Sequence, residues 1–543
     1  MKDRKKLGLL WVLLCCILLF FSGFTLSNLR LHFQEGFQPR LRLSTWHPLA
    51  MEAISGHSST SIPPISIQKT IIFPDQVLLF LKYPPSTPLL TKNDIDCVYL
   101  GHNSSEPHLK LPPLWIDDQH FDHQIVRCPL QTRGMIVSIA VKSTTTLIPV
   151  PTSRWDKLVY EAVLDRDNTT VVFVKGLNLR SGRVADPSKF KCIYSWDLRK
   201  PKFVLRSDVV SAAQEIVRCK TPLRILNSQQ GFGINTNDSI KVSVRVVGRQ
   251  TIKSVARLKH RLDPAPFPKR RHKMCICTML RNQAKFLHEW VVYHGHIGVE
   301  RWFIYDNNSD DEIKDVIETL LSKNYDITRH VWPWIKTQES GFSHCALGAR
   351  DLCEWIGFID VDEFFHLPSG LSLHDVIENK SRDSVGELRV PCHNFGPSGL
   401  KKFPARGVTV GYTCRLRGTE RHKSIVRPEK LNSTLINLVH HFHLKAGFHP
   451  VNVNGNMLVI NHYKYQVWEV FKEKFYMRVA AYVSDWQHER NVGSKDRAPG
   501  LGTKAIEPPD WSTRFCEVRD TGLRDWILLT FTDDKTGRLP WQG

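Results

Sequence analysis

The sequence predicts an α/β protein: a mostly parallel, doubly wound sheet in the C-terminal half, preceded by a duplicated β-rich region and an N-terminal apolar segment. Three observations predict it. From Met274 onward, short apolar strands alternate with helical patterns, and several strands end in charged residues. Between Val77 and Val247 the same four β landmarks occur twice in the same order. Leu7 to Leu29 carries no charged residue at all.

The bulk numbers agree with this division. A chain of 543 residues exceeds one ordinary domain. With 42% hydrophobic and 23% charged residues it is globular in composition, which excludes a disordered chain. A formal net charge of +21 favours an anionic partner, whether nucleic acid, a membrane surface or an acidic polymer. The same charge scattered over a solvated surface needs no partner, and no long Lys/Arg block argues against that plainer reading.

At ~1.5 Å per residue, residues 7–29 can cross a bilayer. Lys2, Arg4, Lys5 and Lys6 precede them and only Arg30 follows closely, so residues 1–6 are expected in the cytosol and the body in the lumen. A cleaved signal peptide competes, but the uninterrupted length and the lack of a small-residue cleavage site favour an anchor. Residues 30–70, with Pro39, Pro48, Pro63 and Pro64, read as a stem. Sequons at Asn103, Asn168, Asn237, Asn379 and Asn432 fit glycosylation of a lumenal body. Of the 13 cysteines, Cys15 and Cys16 lie in the anchor; the rest face an oxidising space where disulfides are permitted.

Residues 71–253 form the duplicated region. VLLFLK from Val77, CVY at Cys97, IVRC ending at Cys128 and IVSIAVK from Ile136 recur as TVVFVK from Thr170, CIY at Cys192, IVRC ending at Cys219 and IKVSVRVV from Ile240. This predicts one or two small sandwiches, bridged by Cys97–Cys128 and Cys192–Cys219. A ligand-free scaffold and a carbohydrate-binding role are equally open to it. Residues 254–273 are a basic, Pro-containing linker.

The last unit spans residues 274–543. Strands are expected at Met274–Leu280 and Arg301–Asp306 and in ITRHVWPW, with helices from Asn282 (as cap) to about Gly295, over Asp311–Leu321 and from Glu339 to about Cys353. They lead into Glu354–His366, EWIGFIDVDEFFH. By two-residue periodicity Ile356, Phe358, Asp360 and Asp362 share one strand face, and Glu363 points away. Two adjacent acids at a strand end repel unless a cation lies between them, and a hard divalent ion suits oxygen ligands. Alone, a D-x-D is a common surface pair or helix cap. Ligands of doubly wound sheets sit beyond the carboxyl ends of the strands, where Arg281, Asp306, Asp360 and Asp362 all fall. Cys275, Cys277, Cys345 and Cys353 lie in buried-looking segments and are expected as free thiols; Cys392, Cys414 and Cys516 are available for pairing.

CTMLRNQAKFLHEWVVYHGHIGVERWFIYDNNSDD, SHCALGARDLCEWIGFIDVDEFF, HNFGPSG and KSIVRP resemble glycosyltransferase family 92. The tail NVGSKDRAPGLGT…EPPDW looks like its plant members, the pectic galactan synthases. The resemblance covers about Met274 to the C-terminus. It implies a GT-A type, Rossmann-like glycosyltransferase domain, an inverting reaction, Mn²⁺ or another divalent cation, and a UDP-sugar donor, here UDP-galactose. It implies Asp362 as a direct metal ligand, Asp360 toward the ribose or the metal through water, Asp306 toward the nucleoside and His462 as a third metal or phosphate ligand. His440, His441 and His443 are rivals to His462, and a lone His is more often structural.

Arg281 suits a nucleotide or phosphate, against an ordinary salt bridge to Asp306 or Glu289; Asp306 also suits a turn. Lys423 suits a phosphate, against a solvated lysine. Inversion needs a base for the acceptor hydroxyl, and Glu420 is the candidate, against a surface glutamate beside Arg417 and Arg421. The expected protein is a single-pass type II Golgi membrane enzyme. Its expected partners are the UDP-sugar, an acidic polysaccharide acceptor such as pectic β-1,4-galactan, the membrane and a second copy in a homodimer, but not nucleic acid. Two rival classes remain. A metal-dependent phosphohydrolase would use Asp360 as nucleophile, but it wants Thr or Val where this chain has Phe364. A non-catalytic polysaccharide-binding protein leaves the C-terminal acids unexplained.

Overall fold

A computed structural model describes residues 65–482 and 506–542, apart from short internal stretches of which 229–239 and 260–270 are the longest. The expected anchor at residues 7–29 lies outside the described residues, as do Asn103 and Asn237. Among the described residues no helix is long and apolar enough to cross a membrane.

The duplicated region folds as two units of antiparallel strands. In the first, the strands Ser66–Ile72, Gln76–Lys82, Trp115–His120 and His123–Pro129 share one sheet, and Ile95–Leu100, Pro107–Leu111 and Ile136–Val141 form the other. The second unit repeats the plan within one continuous sheet from Leu158–Leu164 to Lys241–Val246. Cys97–Cys128 and Cys192–Cys219 both form, each joining the equivalent pair of strands. The first strand begins at Ser66, inside the expected stem, and Leu258–Lys259 pairs with Leu158–Leu164, so the start of the expected linker belongs to this sheet.

Strands and helices of the last unit are labelled from its own start: β1 His272–Leu280, α1 Ala284–His296, β2 Arg301–Asp306, α2 Ile313–Ser322, β3 Ile327–Val331, α3 Gln338–Ala349, β4 Cys353–Phe358. Then come β5 Glu363–His366, α4 Leu373–Lys380, β6 Val385–Phe395, α5 Val408–Gly411, β7 Cys414–Val426, β8 Val459–His462 and α6 Trp468–Tyr482. The sheet order is β3-β2-β1-β4-β7-β6-β8-β5, and its first four strands are parallel. These four are apolar on both faces because helices and the β-rich units cover both sides.

Two expectations about this unit are corrected. Asn282 does not cap α1: its side chain bridges to Asp310, and the Asp311 carboxylate takes the Ala284 N–H at 2.8 Å. The expected free thiols are paired as Cys275–Cys353 and Cys277–Cys345, because Cys275 and Cys277 lie two residues apart on one face of β1, toward α3 and β4. Cys414 pairs with Cys516, and Cys392 is the buried free thiol among the described residues.

The β-rich units are packed onto the last unit. Trp155 stacks on Trp334 with centroids 5.4 Å apart, and Tyr160 and Phe80 flank the same ring. Arg127 donates to the carbonyls of Asn308 and Ser309 at 3.0 and 2.8 Å, reaching the loop after β2.

Candidate functional site

The opening run is not one strand. β4 stops at Phe358, residues 359–362 form a turn, and β5 starts at Glu363. Asp360 and Asp362 therefore sit in a turn at the carboxyl end of the parallel strands. Strand alternation ends with the strand, so Glu363 does not point away. It is fully buried, its Oε2 accepts the Asp360 N–H at 2.9 Å, and its Oε1 lies 2.9 Å from Lys423 Nζ and 3.5 Å from His462 Nδ1. Trp290 of α1 donates to the Glu363 carbonyl at 2.9 Å, which ties the turn to the core.

His462 ends β8 directly opposite Glu363 of β5. Its Nε2 faces Asp362 Oδ2 at 3.5 Å and has no hydrogen-bond partner, although the atom is buried. Lys423 of β7 bridges Asp360 Oδ2 and Glu363 at 2.9 Å each and also meets His440 Nε2 at 2.9 Å, so it is not a solvated lysine. Lys474 of α6 meets Asp362 Oδ2 at 2.8 Å. Of the rival histidines, His440 meets Lys423; His441 bonds Ser424 and Glu387; His443 is exposed.

Charge explains the protonation of these groups. Burial pushes the Asp362 carboxyl up, but Lys474 and His462 outweigh it and hold the group well below the usual carboxylate range. Asp360 is likewise pushed up by burial and drawn below its ordinary value by Lys423. Glu363 is raised by burial despite Lys423. With His462 neutral and the acids ionised, three carboxylates meet two ammonium groups, which leaves one negative charge uncompensated. A buried imidazole nitrogen without a partner beside that charge is the donor set for a divalent cation, so the residues fit such an ion. Asp362 and His462 would hold it, with Asp360 beside them.

The other expected residues are placed as follows. Glu420 of β7 lies opposite Cys392 of β6, with both oxygens 3.0 Å from Lys464 Nζ; its partner is Lys464, not Arg417 or Arg421. Burial raises its carboxyl, and Asn394 and Lys464 bring it below the ordinary value. Asp306 is 1% exposed, and its carboxylate takes Arg329 Nε at 2.9 Å and the Ser309 N–H at 3.0 Å. Glu289 instead accepts the Val408 and Thr409 N–H groups of α5, so neither acid forms the salt bridge considered for Arg281. The Arg281 Nε is buried and without a partner among the described residues. Asn168 and Asn379 are exposed, while Asn432 is half-buried and accepts from Thr434. Sequence reasoning missed Glu363 and Lys474 as site residues. For Lys474 the only signal was a lysine-rich helix following a strand that ends in histidine.

The model of glycosyltransferase family 92 matches residues 270–492. A family 92 protein of Ricinus communis is 60% identical over 100% of this chain and 100% of its own. The chain belongs to glycosyltransferase family 92. Family 92 proteins of Oryza sativa subsp. japonica and Arabidopsis thaliana are 48% and 46% identical, over 96% and 97% of this chain and 91% and 94% of theirs. Likeness to solved structures is remote: S. aureus TarS 1-349 shares 13% identity over 40% of this chain and 68% of its own, with a TM-score of 0.22, and carries no weight here. The family assignment supports a glycosyltransferase.

Proposed function

We propose that this family 92 protein is a divalent-metal-dependent, inverting transferase that moves galactose from UDP-galactose onto pectic β-1,4-galactan. One observation carries the reading: Asp362 and the buried Nε2 of His462, which has no hydrogen-bond partner, face each other at 3.5 Å at the carboxyl end of the parallel strands, in the turn that also carries Asp360. A divalent cation such as Mn²⁺, when bound there, supplies the charge that neutralises a leaving diphosphate. Asp362 and His462 hold it. Lys423 fixes Asp360 and Glu363, and Arg281 offers its guanidinium near the nucleotide loop. Glu420 takes the proton of the acceptor hydroxyl. The galactose and pectin assignments are supported by the plant-type tail at residues 491–511, and the net charge of +21 suits an acidic acceptor. The five disulfides among the described residues and the uncharged stretch 7–29 support an anchored enzyme in the Golgi lumen.

The test is a transfer assay of the full-length protein with Mn²⁺, a panel of UDP-sugars and pectic oligosaccharides, alongside UDP binding. Galactose transfer from UDP-galactose is expected, and Asp362→Ala is expected to abolish both transfer and Mn²⁺-dependent UDP binding. Hydrolysis of the donor without transfer to any acceptor, or UDP binding that survives Asp362→Ala, would overturn the reading.

A further inference from the structure

We propose that Lys474 is a donor-binding residue that alternates between two anions: it neutralises Asp362 in the empty enzyme and moves to the donor diphosphate when the site is loaded. This rests on the reading of the turn as a metal–diphosphate site. Among the described residues Lys474 is the ammonium in contact with Asp362, 2.8 Å from the same Oδ2 that faces His462 Nε2 at 3.5 Å. Its side chain is 14% exposed and the Asp362 side chain 9%, so the contact is not an incidental surface pair. It is held from a second side as well. Its ammonium lies 4.9 Å from the Phe286 ring of α1, and the neighbouring Glu473 pairs with Lys285 of α1 at 2.9 Å. Both contacts reach α1, so α1 lies beside the ammonium as well as the turn.

The exchange follows from charge. Lys474 and a divalent cation compete for one carboxylate oxygen, and two cations on it repel each other. Lys474 is therefore expected to give up Asp362 when that ion is bound to the same oxygen. The diphosphate is the anion that arrives with it, and an ammonium on a four-carbon stem is a mobile point charge suited to phosphate oxygens. Lys474 thus opposes the metal alone and supports the metal together with UDP.

The experiment measures Mn²⁺ binding by electron paramagnetic resonance without nucleotide, then UDP binding by calorimetry at saturating Mn²⁺. Wild type, Lys474→Met, Lys474→Gln and Lys474→Arg are compared as full-length proteins. The Met and Gln variants are expected to bind Mn²⁺ about fivefold more tightly and UDP about tenfold more weakly, and Arg to stay near wild type. Mn²⁺ affinity that is unchanged or lower, or UDP affinity that is unchanged, in any neutral variant that melts with wild type overturns the proposal. If both neutral variants melt early, an Arg variant that loses UDP binding overturns it instead. Failure of wild type to bind UDP with Mn²⁺ overturns the metal–diphosphate reading itself.

Discussion

Glu363 meets the Asp360 N–H, Lys423 and His462 with one carboxylate. Its Oε1 lies 3.5 Å from His462 Nδ1, and groups that support a metal-ligating histidine in this way commonly matter about 10–100-fold in metal affinity. Glu363→Gln replaces one acceptor oxygen by a donor and should weaken Mn²⁺ binding by about that factor. Direct titration checks it, and unchanged affinity would mean that His462 is oriented by another group. Glu420 is the separate question of the base. Glu420→Gln is expected to lower kcat by about 10²–10⁴-fold while UDP binding stays at the wild-type level. Near-normal turnover removes Glu420 from the reaction. Asp360 and Asp362 were legible because strand ends and acids can be read in order, whereas His462 was singled out only through the family resemblance. Sequence reasoning missed Glu363 because Ile359 and Val361 are buried within the turn, so the apolar alternation runs on where the strand has already ended.

At the scale of elements, the N-terminus of α1 is fixed from outside its own sequence. Asn282 adopts φ 53° and bonds Asp310 through both ends of its amide, while Asp311 caps the Ala284 N–H. The helix start and the loop after β2 therefore form one unit, and Arg127 of the first β-rich unit holds the same loop by its carbonyls. Asp311→Ala should cost about 1 kcal/mol of stability, the usual value of a lost cap, and Asp311→Asn less. Chemical denaturation of the two variants checks the order, and equal losses would mean that the contact is not a cap. The strand and helix order of this unit was legible because each parallel strand is an apolar run between polar breaks. The cap was not, since Asn282 satisfies the local rule while the group that does the capping lies after the next strand. The same limit hid the Cys275–Cys353 and Cys277–Cys345 pairs, whose partners are 78 and 68 residues apart.

At the scale of the whole molecule, the β-rich units and the transferase unit share buried ion pairs as well as the Trp155–Trp334 stack. Asp165, from the turn after Leu158–Leu164, is the clearest joint. It takes Arg218 Nη1 at 2.7 Å from its own unit and Arg350 Nη1 at 3.0 Å from the end of α3. All three side chains are at most 12% exposed. Burial raises the Asp165 carboxyl, and Arg350 and Arg218 outweigh it, so the folded protein holds it below its ordinary value. A depressed carboxyl contributes stability that is fully present above the unfolded-state value and is lost as pH falls through the folded one. Removing the charge leaves two buried guanidinium groups without it, which costs about 3 kcal/mol at neutral pH. Asp165→Asn should therefore show its full deficit at pH 7 and pH 5, and the gap to wild type should narrow once the pH drops below about 4. Denaturant titrations at the three pH values measure it. A deficit that stays constant down to pH 3.5 would assign the loss to packing and not to the charge that joins the two halves.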